Sequence, residues 1–473
     1  MIKFSILDIL LILFYFTAVL FIGFRAARRK KDSTDEYLLA SRTLTLPMFI
    51  ATLVSTWYGG ILGVGEYSYR YGISNWIVFG VPYYFFALVF ALTLAKKARA
   101  TNLFSIPDKL YDAYDAKTSL LGAALTFVLV SPAPYVLMLG ILVQLMFGLN
   151  LTLSVILSSA AALIYLYSGG FRSDVYTNAL EFILMFLGFA VIVPFSYAKF
   201  GGFGFLQQHL PPLHLTWNGG NSLQFVIVWF FIAMWTLVDP AFHQRCYAAK
   251  DGATAQRGIL LSIPFWLVFD FMTSTAGLYA RAALPNLQQP VFAYPMLAEI
   301  TLPSIAKGLF YIGMLATIMS SLSSLTFIGG VTIGNDIIGR ILSREKPEIR
   351  AAAITVWTKI GLIITAILAI VFALGIPSVV KLWYVIGTCV IPGLLVPLLA
   401  SYFPRFHIPA RYAFAAMSFG WLTSTVWLLY GQFNNGVYLF GVEPMYPGLF
   451  LSLVCWGIGR FKVPNSKLKV PNA

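Results

Sequence analysis

Two apolar stretches of this chain carry residues that membrane helices usually avoid. Residues 51–66, ATLVSTWYGGILGVGE, hold four glycines and several hydroxyl side chains and end in Glu66. A later stretch contains TLVDP, in which Asp239 precedes Pro240. Glycine and proline allow a helix to unwind at membrane depth, and the freed carbonyl and amide groups then become ligands for an ion or a solute. These residue types therefore indicate binding inside a membrane.

Each feature also has a purely structural interpretation. Gly59 and Gly63 are four residues apart, a spacing that lets two membrane helices pack closely. Asp239 is suited to cap a helix that begins at Pro240, and Glu66 fits a position that faces external water. Because a carboxylate within a membrane span is costly, Glu66 favours the functional interpretation.

Three carboxylates near the membrane interior, on Glu66, Asp239 and Asp270, indicate the charge of a bound solute. An acidic side chain buried at a site is favoured by a positive partner, so we expect a solute with an amine or another cationic group. Aromatic residues near the breaks are candidates to stack on it, although such residues more often pack or face the membrane interface. The predicted solute site consists of Trp57, Tyr58, Glu66, Trp235 and Asp239.

The elements that position these residues are membrane helices. The chain has 473 residues, 59% of them hydrophobic and 11% charged, and its mean hydropathy is +0.81. A soluble domain has about a quarter of its residues charged, so this composition predicts an all-α integral membrane protein. Thirteen apolar spans are long enough to cross a bilayer, at about 5–24, 46–68, 74–95, 119–147, 151–168, 175–197, 222–243, 258–280, 308–333, 352–374, 377–400, 412–430 and 445–459.

The net charge of +14 reflects topology and not nucleic-acid binding. Most of the 32 Lys and Arg residues fall in alternate loops, among them RAARRKK (25–31) and a loop with Arg245, Lys250 and Arg257. By the positive-inside rule, the N-terminus lies outside and the C-terminus lies in the cytoplasm. We expect a multi-pass protein of the cell membrane (plasma or inner). Its partners would be the lipid bilayer and a small solute, with no obligatory protein partner.

Sequence motifs for catalysis are missing. The chain has no GxxxxGK[ST] or HExxH sequence, and its three cysteines and four histidines form no cluster, so we predict that it is not an enzyme. A channel would favour a repeated pore element, which is not seen either. A non-transporting sensor with the same fold stays an alternative. We would expect such a sensor to carry an appended cytoplasmic domain, and only thirteen residues follow Arg460.

The two interrupted spans lie five helices apart and enter the membrane from opposite sides. Irregular segments at corresponding positions of oppositely oriented halves indicate a transporter built from inverted repeats. We predict one polytopic domain over residues 1–473. An extra N-terminal helix and basic loop (1–42) precede two five-helix repeats (43–200 and 218–402), and two C-terminal helices with a short basic tail follow (403–473).

Four stretches resemble motifs of the sodium:solute symporter family, whose members have the LeuT-type fold. They are LGVGEYSYRYG (62–72), GGFRSDVYTNALE (169–181), DPAFHQRCYAAKD (239–251) and LATIMSSLSSLTFIGGVTIGND (315–336), in the first, fifth, sixth and eighth core helices. In the last stretch a hydroxyl pair precedes an aspartate by fifteen residues, as Ser321 precedes Asp336. The resemblance covers about residues 35–400. It implies a LeuT-like 5+5 inverted repeat and sodium-coupled symport of a small organic solute into the cytoplasm by alternating access.

The resemblance also implies a sodium site between the first and eighth core helices. Carried over, its hydroxyl ligands are Ser320 and Ser321, and its carbonyl ligands are those of Leu53, Thr56 and Thr317. Sodium is a hard cation that prefers oxygen, and unwound helix ends supply oxygen ligands without a carboxylate. The alternative for both serines is a hydrogen bond to the carbonyl one turn earlier in the same helix.

The fifth core helix departs from the family pattern. The family's aspartate, which is tied to the extra site in members that bind a second sodium, is replaced by Asn178, and the expected glutamine by Glu181. We therefore predict one sodium ion per cycle as the coupling ion. Proton coupling through Glu181, Asp239 or Glu66 is the alternative, but the hydroxyl pair favours sodium.

Overall fold

The computed structural model describes residues 2–28, 33–342 and 347–462. Within these ranges the chain is helical apart from its connecting loops and one isolated bridge between Leu44 and Ala249. An apolar chain in lipid has to satisfy its backbone polar groups internally, and a helix does so within each segment.

Eleven α-helices lie between residues 6 and 209 of the described chain. They are α1 (Ile6–Arg28), α2 (Thr34–Leu39), α3 (Leu46–Trp57), α4 (Ile61–Tyr71), α5 (Val81–Thr93), α6 (Ala95–Ala100), α7 (Ile106–Ala113), α8 (Ala116–Leu129), α9 (Ala133–Phe147), α10 (Leu151–Phe200) and α11 (Phe203–His209). A short π-helix, Trp76–Gly80, precedes α5.

The later described helices contain a second interrupted span. They are α12 (Leu223–Ile232), α13 (Trp235–Val238), α14 (Pro240–Ala248), α15 (Gly252–Ala283), α16 (Ala293–Thr301), α17 (Ala306–Val331), α18 (Gly339–Ile341), α19 (Pro347–Gly375), α20 (Val379–Tyr402), α21 (Ala410–Phe433) and α22 (Met445–Phe461). A π-helix, Thr332–Ile338, connects α17 to α18.

The membrane spans largely follow the predicted apolar segments. Among the described residues, ten helical segments are long and apolar enough to cross a membrane, and the bent pair α3 and α4 makes eleven. Two further predicted spans correspond to shorter segments, Leu151–Ala160 at the start of α10 and Met445–Phe461. The total of thirteen spans stays a prediction.

Two spans are interrupted inside the protein. Helices α3 and α4 are separated by Tyr58, Gly59 and Gly60, and their axes differ by 55°. In the second span, Asp239 has an extended backbone, with φ −68° and ψ 116°, and Pro240 begins α14. Proline has no N–H group to donate to the preceding turn and disfavours a helical backbone at the residue before it, which is consistent with the break at Asp239.

The four glycines of the first interrupted span support both interpretations. Gly59 and Gly60 lie in the break itself. Gly63 and Gly65 are helical and allow close packing, since a Cβ atom would lie 2.7 Å from the Trp383 ring at Gly63 and 2.8 Å from the Tyr294 ring at Gly65. Unwinding and packing therefore each account for part of the glycine content.

Helix α17 lies at the centre of the protein. All residues of its apolar window are buried, and it packs against α10, α1 and α3, whereas α1 is mostly exposed at the periphery. Helix α10 changes direction at Gly170, which has a φ of 58°. A Cβ atom there would lie 2.6 Å from the carbonyl oxygen of Tyr37, so this position requires glycine.

Candidate ion and solute sites

The end of α3 and the middle of α17 form a cluster of backbone and hydroxyl oxygens. The Ser320 hydroxyl donates to the carbonyls of Ser55 and Thr317, each at 2.9 Å. The Ser321 hydroxyl donates to the carbonyl of Thr56. The last carbonyls of any helix have no partner within it, and the break after Trp57 leaves those of α3 free. This arrangement offers a small cation several oxygen ligands.

The structure brings together four of the five predicted sodium ligands, namely Thr56, Thr317, Ser320 and Ser321. Leu53 is buried in the same turn region, but the carbonyl that contacts Ser320 belongs to Ser55. This contact lies two positions after the predicted Leu53 carbonyl. The assignment of these residues as sodium ligands stays a prediction.

A central cavity lies beside both helix breaks. The space in and above it that no atom fills, open solvent included, is about 1070 Å³. Many of its lining residues are aromatic, including Trp57, Tyr58, Tyr83, Trp229, Trp235 and Trp383. A concave, mainly apolar cavity with a few polar groups is typical of a small-molecule site.

Two acidic residues, Asp239 and Asp270, line the cavity, and no basic residue does so in the described part of the chain. Oδ1 of Asp239 accepts hydrogen bonds from the amides of Ala241 (2.6 Å) and Phe242 (3.2 Å). Asp239 therefore caps α14, as the structural interpretation of this residue predicts. Its Oδ2 carries no hydrogen bond from a described residue. The capping role and a role towards a solute are therefore compatible.

Asp270 is held differently, because both of its carboxylate oxygens accept from tyrosines. Tyr58 donates to Oδ1 and Tyr84 donates to Oδ2. The Tyr58 hydroxyl also lies 2.8 Å from the Thr273 hydroxyl. These contacts connect the first helix break to α15 across the cavity.

The structure places one of the predicted solute contacts away from the cavity. Glu66 does not line the cavity, because it lies on α4 one turn before Arg70 and pairs with it at 3.1 Å. The other four predicted residues, Trp57, Tyr58, Trp235 and Asp239, all line the cavity.

Glu181 also lies away from the cavity. It is buried on α10, where the Tyr15 hydroxyl of α1 donates to it at 3.1 Å. The three carboxylates of the proton-coupling alternative thus lie in separate places, with Glu66 on α4, Glu181 on α10 and Asp239 at the start of α14.

Sequence reasoning missed a buried ion pair between Arg245 and Asp174. The Arg245 Nη2 atom lies 3.3 Å from Asp174 Oδ2, and both side chains are fully buried. Arg245 is therefore not the loop residue predicted from charge counting, since its guanidinium points into the protein from α14. The sequence did contain one indication of this ion pair: Asp174 lies one helical turn before Asn178, on the same face of α10.

Two interrupted helices around a cavity, with a cluster of backbone and hydroxyl oxygens beside it, are typical of a membrane transporter that couples a solute to an ion. Solved structures support this architecture. The chain is similar to a Na⁺-coupled sialic acid symporter in a substrate-bound outward-open state, with a TM-score of 0.77 at 17% identity over 96% of this chain and 98% of that one. It is also similar to Mhp1, a nucleobase-cation-symport-1 family transporter, with a TM-score of 0.61 at 12% identity over 92% and 97% of the two chains.

Sequence comparison defines the family. A sodium/pantothenate symporter of Escherichia coli is 25% identical over 482 residues, covering 96% of each chain. High-affinity choline transporter 1 of Drosophila melanogaster is 24% identical over 476 residues, which cover 94% of this chain and 74% of that protein. The sequence model of the sodium:solute symporter family matches residues 37–420, and the chain belongs to that family.

Family membership confirms several predictions. The protein is a multi-pass membrane transporter with a LeuT-type helical fold, it is not an enzyme, and it carries out sodium-coupled symport of a small solute with Na⁺ as the coupling ion.

Proposed function

We propose that this transporter carries a small organic cation, such as a quaternary ammonium compound or a protonated amine, together with one sodium ion into the cytoplasm. The observation that carries the proposal is the lining of the central cavity, which combines many aromatic rings with two carboxylates and lacks a basic residue in the described part of the chain. Aromatic faces attract cations within about 6 Å of the ring centroid, and the attraction is strongest where water is excluded.

The charges of the cavity favour a cation over an anion. Asp239 keeps one carboxylate oxygen without a hydrogen bond from a described residue, at the point where the backbone between α13 and α14 is extended. An acidic solute there would meet Asp239 and Asp270 without a positive partner, at a high cost in a buried site. Among the relatives, this favours a solute like that of the choline transporter over one like pantothenate, which is an acid.

Trp383 and Trp57 are suited to hold such a cation from two sides. The Trp383 ring lies against the first helix break, since a Cβ atom at Gly60 would lie 2.2 Å from it. Trp57 packs edge-on against Tyr83 and Phe242, with ring centroids 5.1 and 5.4 Å apart, which fixes its orientation. Aromatic residues placed rigidly contribute contact area at a low entropic cost.

In this proposal sodium is bound by the carbonyls of Thr56 and Thr317 and the hydroxyls of Ser320 and Ser321, with Leu53 or Ser55 supplying a further carbonyl. Because these ligands connect the end of α3 to α17, bound sodium would hold the two helices together beside the cavity. With the N-terminus outside and the C-terminus in the cytoplasm, sodium and solute enter together. A univalent cationic solute and one sodium ion carry two positive charges inward, so the membrane potential contributes about 4.6 kcal/mol per 100 mV to each cycle.

The test is uptake into proteoliposomes under an imposed sodium gradient, with radiolabelled choline, proline and pantothenate as probes. We expect sodium-dependent uptake of choline and none of pantothenate. Asp239→Asn keeps a side chain that caps a helix about as well as aspartate but removes the charge. Because an interaction with a charged group contributes about 1.5–3 kcal/mol, we expect the variant to raise the KM for choline roughly 10- to 150-fold.

Glu66→Gln serves as the matched control, because Glu66 lies outside the cavity, and its KM should stay close to that of the wild type. Uptake of pantothenate without uptake of choline would contradict the proposal. So would an Asp239→Asn variant that transports choline normally.

A further inference from the structure

A second cluster of oxygens lies directly beside the proposed sodium site. It consists of the hydroxyls of Thr52 and Thr56 on α3, the hydroxyl of Ser324 on α17 and the carboxylate of Asp174 on α10. Arg245 Nη2 lies within hydrogen-bonding distance of all four, at 3.2 Å from Thr52, 2.9 Å from Thr56, 2.8 Å from Ser324 and 3.3 Å from Asp174.

The four oxygens have the composition of a site for a hard monovalent cation. One carboxylate and three hydroxyls, contributed by three different helices, converge on a single point from which water is excluded. Hard cations take oxygen ligands of this kind. In this structure the point is occupied by a nitrogen of the chain's own guanidinium group, which carries a permanent positive charge.

Two neighbouring groups hold the guanidinium in this place. The Gln244 amide oxygen accepts from Arg245 Nη1 at 3.1 Å, and the ring of Phe171 lies under the guanidinium, 5.5 Å from its central carbon. Asn178 adds a neutral donor, since its side-chain nitrogen lies 3.0–3.3 Å from the same four oxygens. The cluster therefore has one negative and one positive charge and is neutral without a bound ion.

Stability alone does not explain this pair. A buried ion pair is often no more stabilising than apolar residues of similar volume, because removing two charges from water costs several kcal/mol. The cluster is instead coupled to the ion site through shared residues. The Thr56 carbonyl accepts from Ser321 while its hydroxyl accepts from Arg245, and Ser324 lies one turn after Ser320 on α17.

We propose that the guanidinium of Arg245 is a tethered cation that permanently fills a second cation site, so that the protein binds one sodium ion where its oxygen ligands would hold two. The proposal deepens the proposed function and rests on it, because it assumes that the single sodium binds at Ser320 and Ser321. The tethered charge stays with the protein during transport and adds nothing to the charge moved across the membrane.

The experiment measures binding of ²²Na⁺ to the purified full-length protein at equilibrium, without any solute, as ions per protein at saturation. The wild type should bind one ion. Arg245→Met removes the charge but keeps an unbranched side chain, and we expect it to bind two. The double variant Arg245→Met/Asp174→Asn lacks the carboxylate of the second site and should return to one.

Two outcomes overturn the proposal: a wild type that binds two ions, and an Arg245→Met variant that is folded and binds only one. If Arg245→Met elutes as aggregate in size-exclusion chromatography, Arg245→Gln takes its place, because it keeps an amide donor towards Asp174 and loses the charge. The wild-type stoichiometry tests the proposal without any variant.

Ser320→Ala/Ser321→Ala separates this inference from the proposed sodium site. This variant should bind no sodium. If it still binds one ion, the location of the sodium site in the proposed function is wrong, whatever Arg245→Met shows. If it binds none while Arg245→Met binds one, the sodium site stands and the tethered cation is refuted.

Discussion

Gly59→Ala is expected to damage the sodium site while leaving the rest of the transporter folded. Gly59 lies in the break between α3 and α4, with Ser321 of α17 directly against it. A Cβ atom there would lie 1.9 Å from the Ser321 hydroxyl oxygen and 2.3 Å from its Cβ. Both distances are far inside van der Waals contact, so Ser321 has to leave its present position and its hydrogen bond to Thr56.

The magnitude follows from the cost of overpacking. An added methyl group in a well-packed interior costs about 1–3 kcal/mol. If sodium binding requires Ser321 in its present position, the free energy of sodium binding becomes less favourable by that amount. Since about 1.4 kcal/mol corresponds to a factor of ten, the sodium concentration for half-saturation should rise roughly 5- to 150-fold.

The assay is a titration of the purified protein with NaCl at constant ionic strength, with KCl as the replacement salt and the melting temperature as the readout. Gly204→Ala is the matched control, because a Cβ atom at Gly204 meets no other atom within 4 Å. A folded Gly59→Ala protein with the half-saturation of the wild type would refute the idea that sodium binds through Ser321.

Three further substitutions test the packing of the fold by thermal melting. Gly170→Ala should lower the melting temperature clearly, because the φ of 58° and the Tyr37 carbonyl 2.6 Å away both exclude a Cβ atom; an unchanged value would show that α10 straightens at little cost. Asp115 caps α8, since its side chain accepts a hydrogen bond from the Thr118 amide at 2.8 Å. Asp115→Ala should lower the free energy of unfolding by about 1 kcal/mol, and Asp115→Asn is the control that keeps the cap. Arg340→Ala breaks the ion pair with Asp108 and should destabilise the protein by about 2 kcal/mol, between the values for exposed and buried pairs. An Arg340→Ala variant as stable as the wild type would show that this ion pair does not hold α7 and α18 together.

The membrane class and the places of the helix breaks could be predicted because they depend on local chemistry. Long apolar spans have few alternatives to the helix in lipid, and glycine or proline within them marks where the backbone leaves it. The glycines of residues 51–66 show the limit of this reasoning. Spacing alone did not separate Gly59 and Gly60, which lie in the break, from Gly63 and Gly65, which pack against aromatic rings.

The roles of the charged residues could not be predicted in the same way. Glu66 follows the glycines of one interrupted span and Asp239 precedes the proline of the other. Only Asp239 lines the cavity, whereas Glu66 pairs with Arg70 along its own helix. Arg245 looked like one more base of a cytoplasmic loop, although its side chain is fully buried against Asp174. The direction of a side chain depends on how far the helix extends and on which helices surround it.

The sequence by itself determined the membrane environment, the helical architecture and the family, and it predicted the hydroxyl pair of the proposed ion site. Each of these depends on composition or on residues close together in the chain. The tertiary structure alone decided which oxygens meet. The oxygens of both clusters come from α3, α10 and α17, and the guanidinium beside them comes from α14. These helices are far apart in sequence, and the distances are set by how they pack around a buried centre. For this reason the sequence pattern did not reveal that a carboxylate one turn away from its expected position, on Asp174, pairs with an arginine from another helix, Arg245.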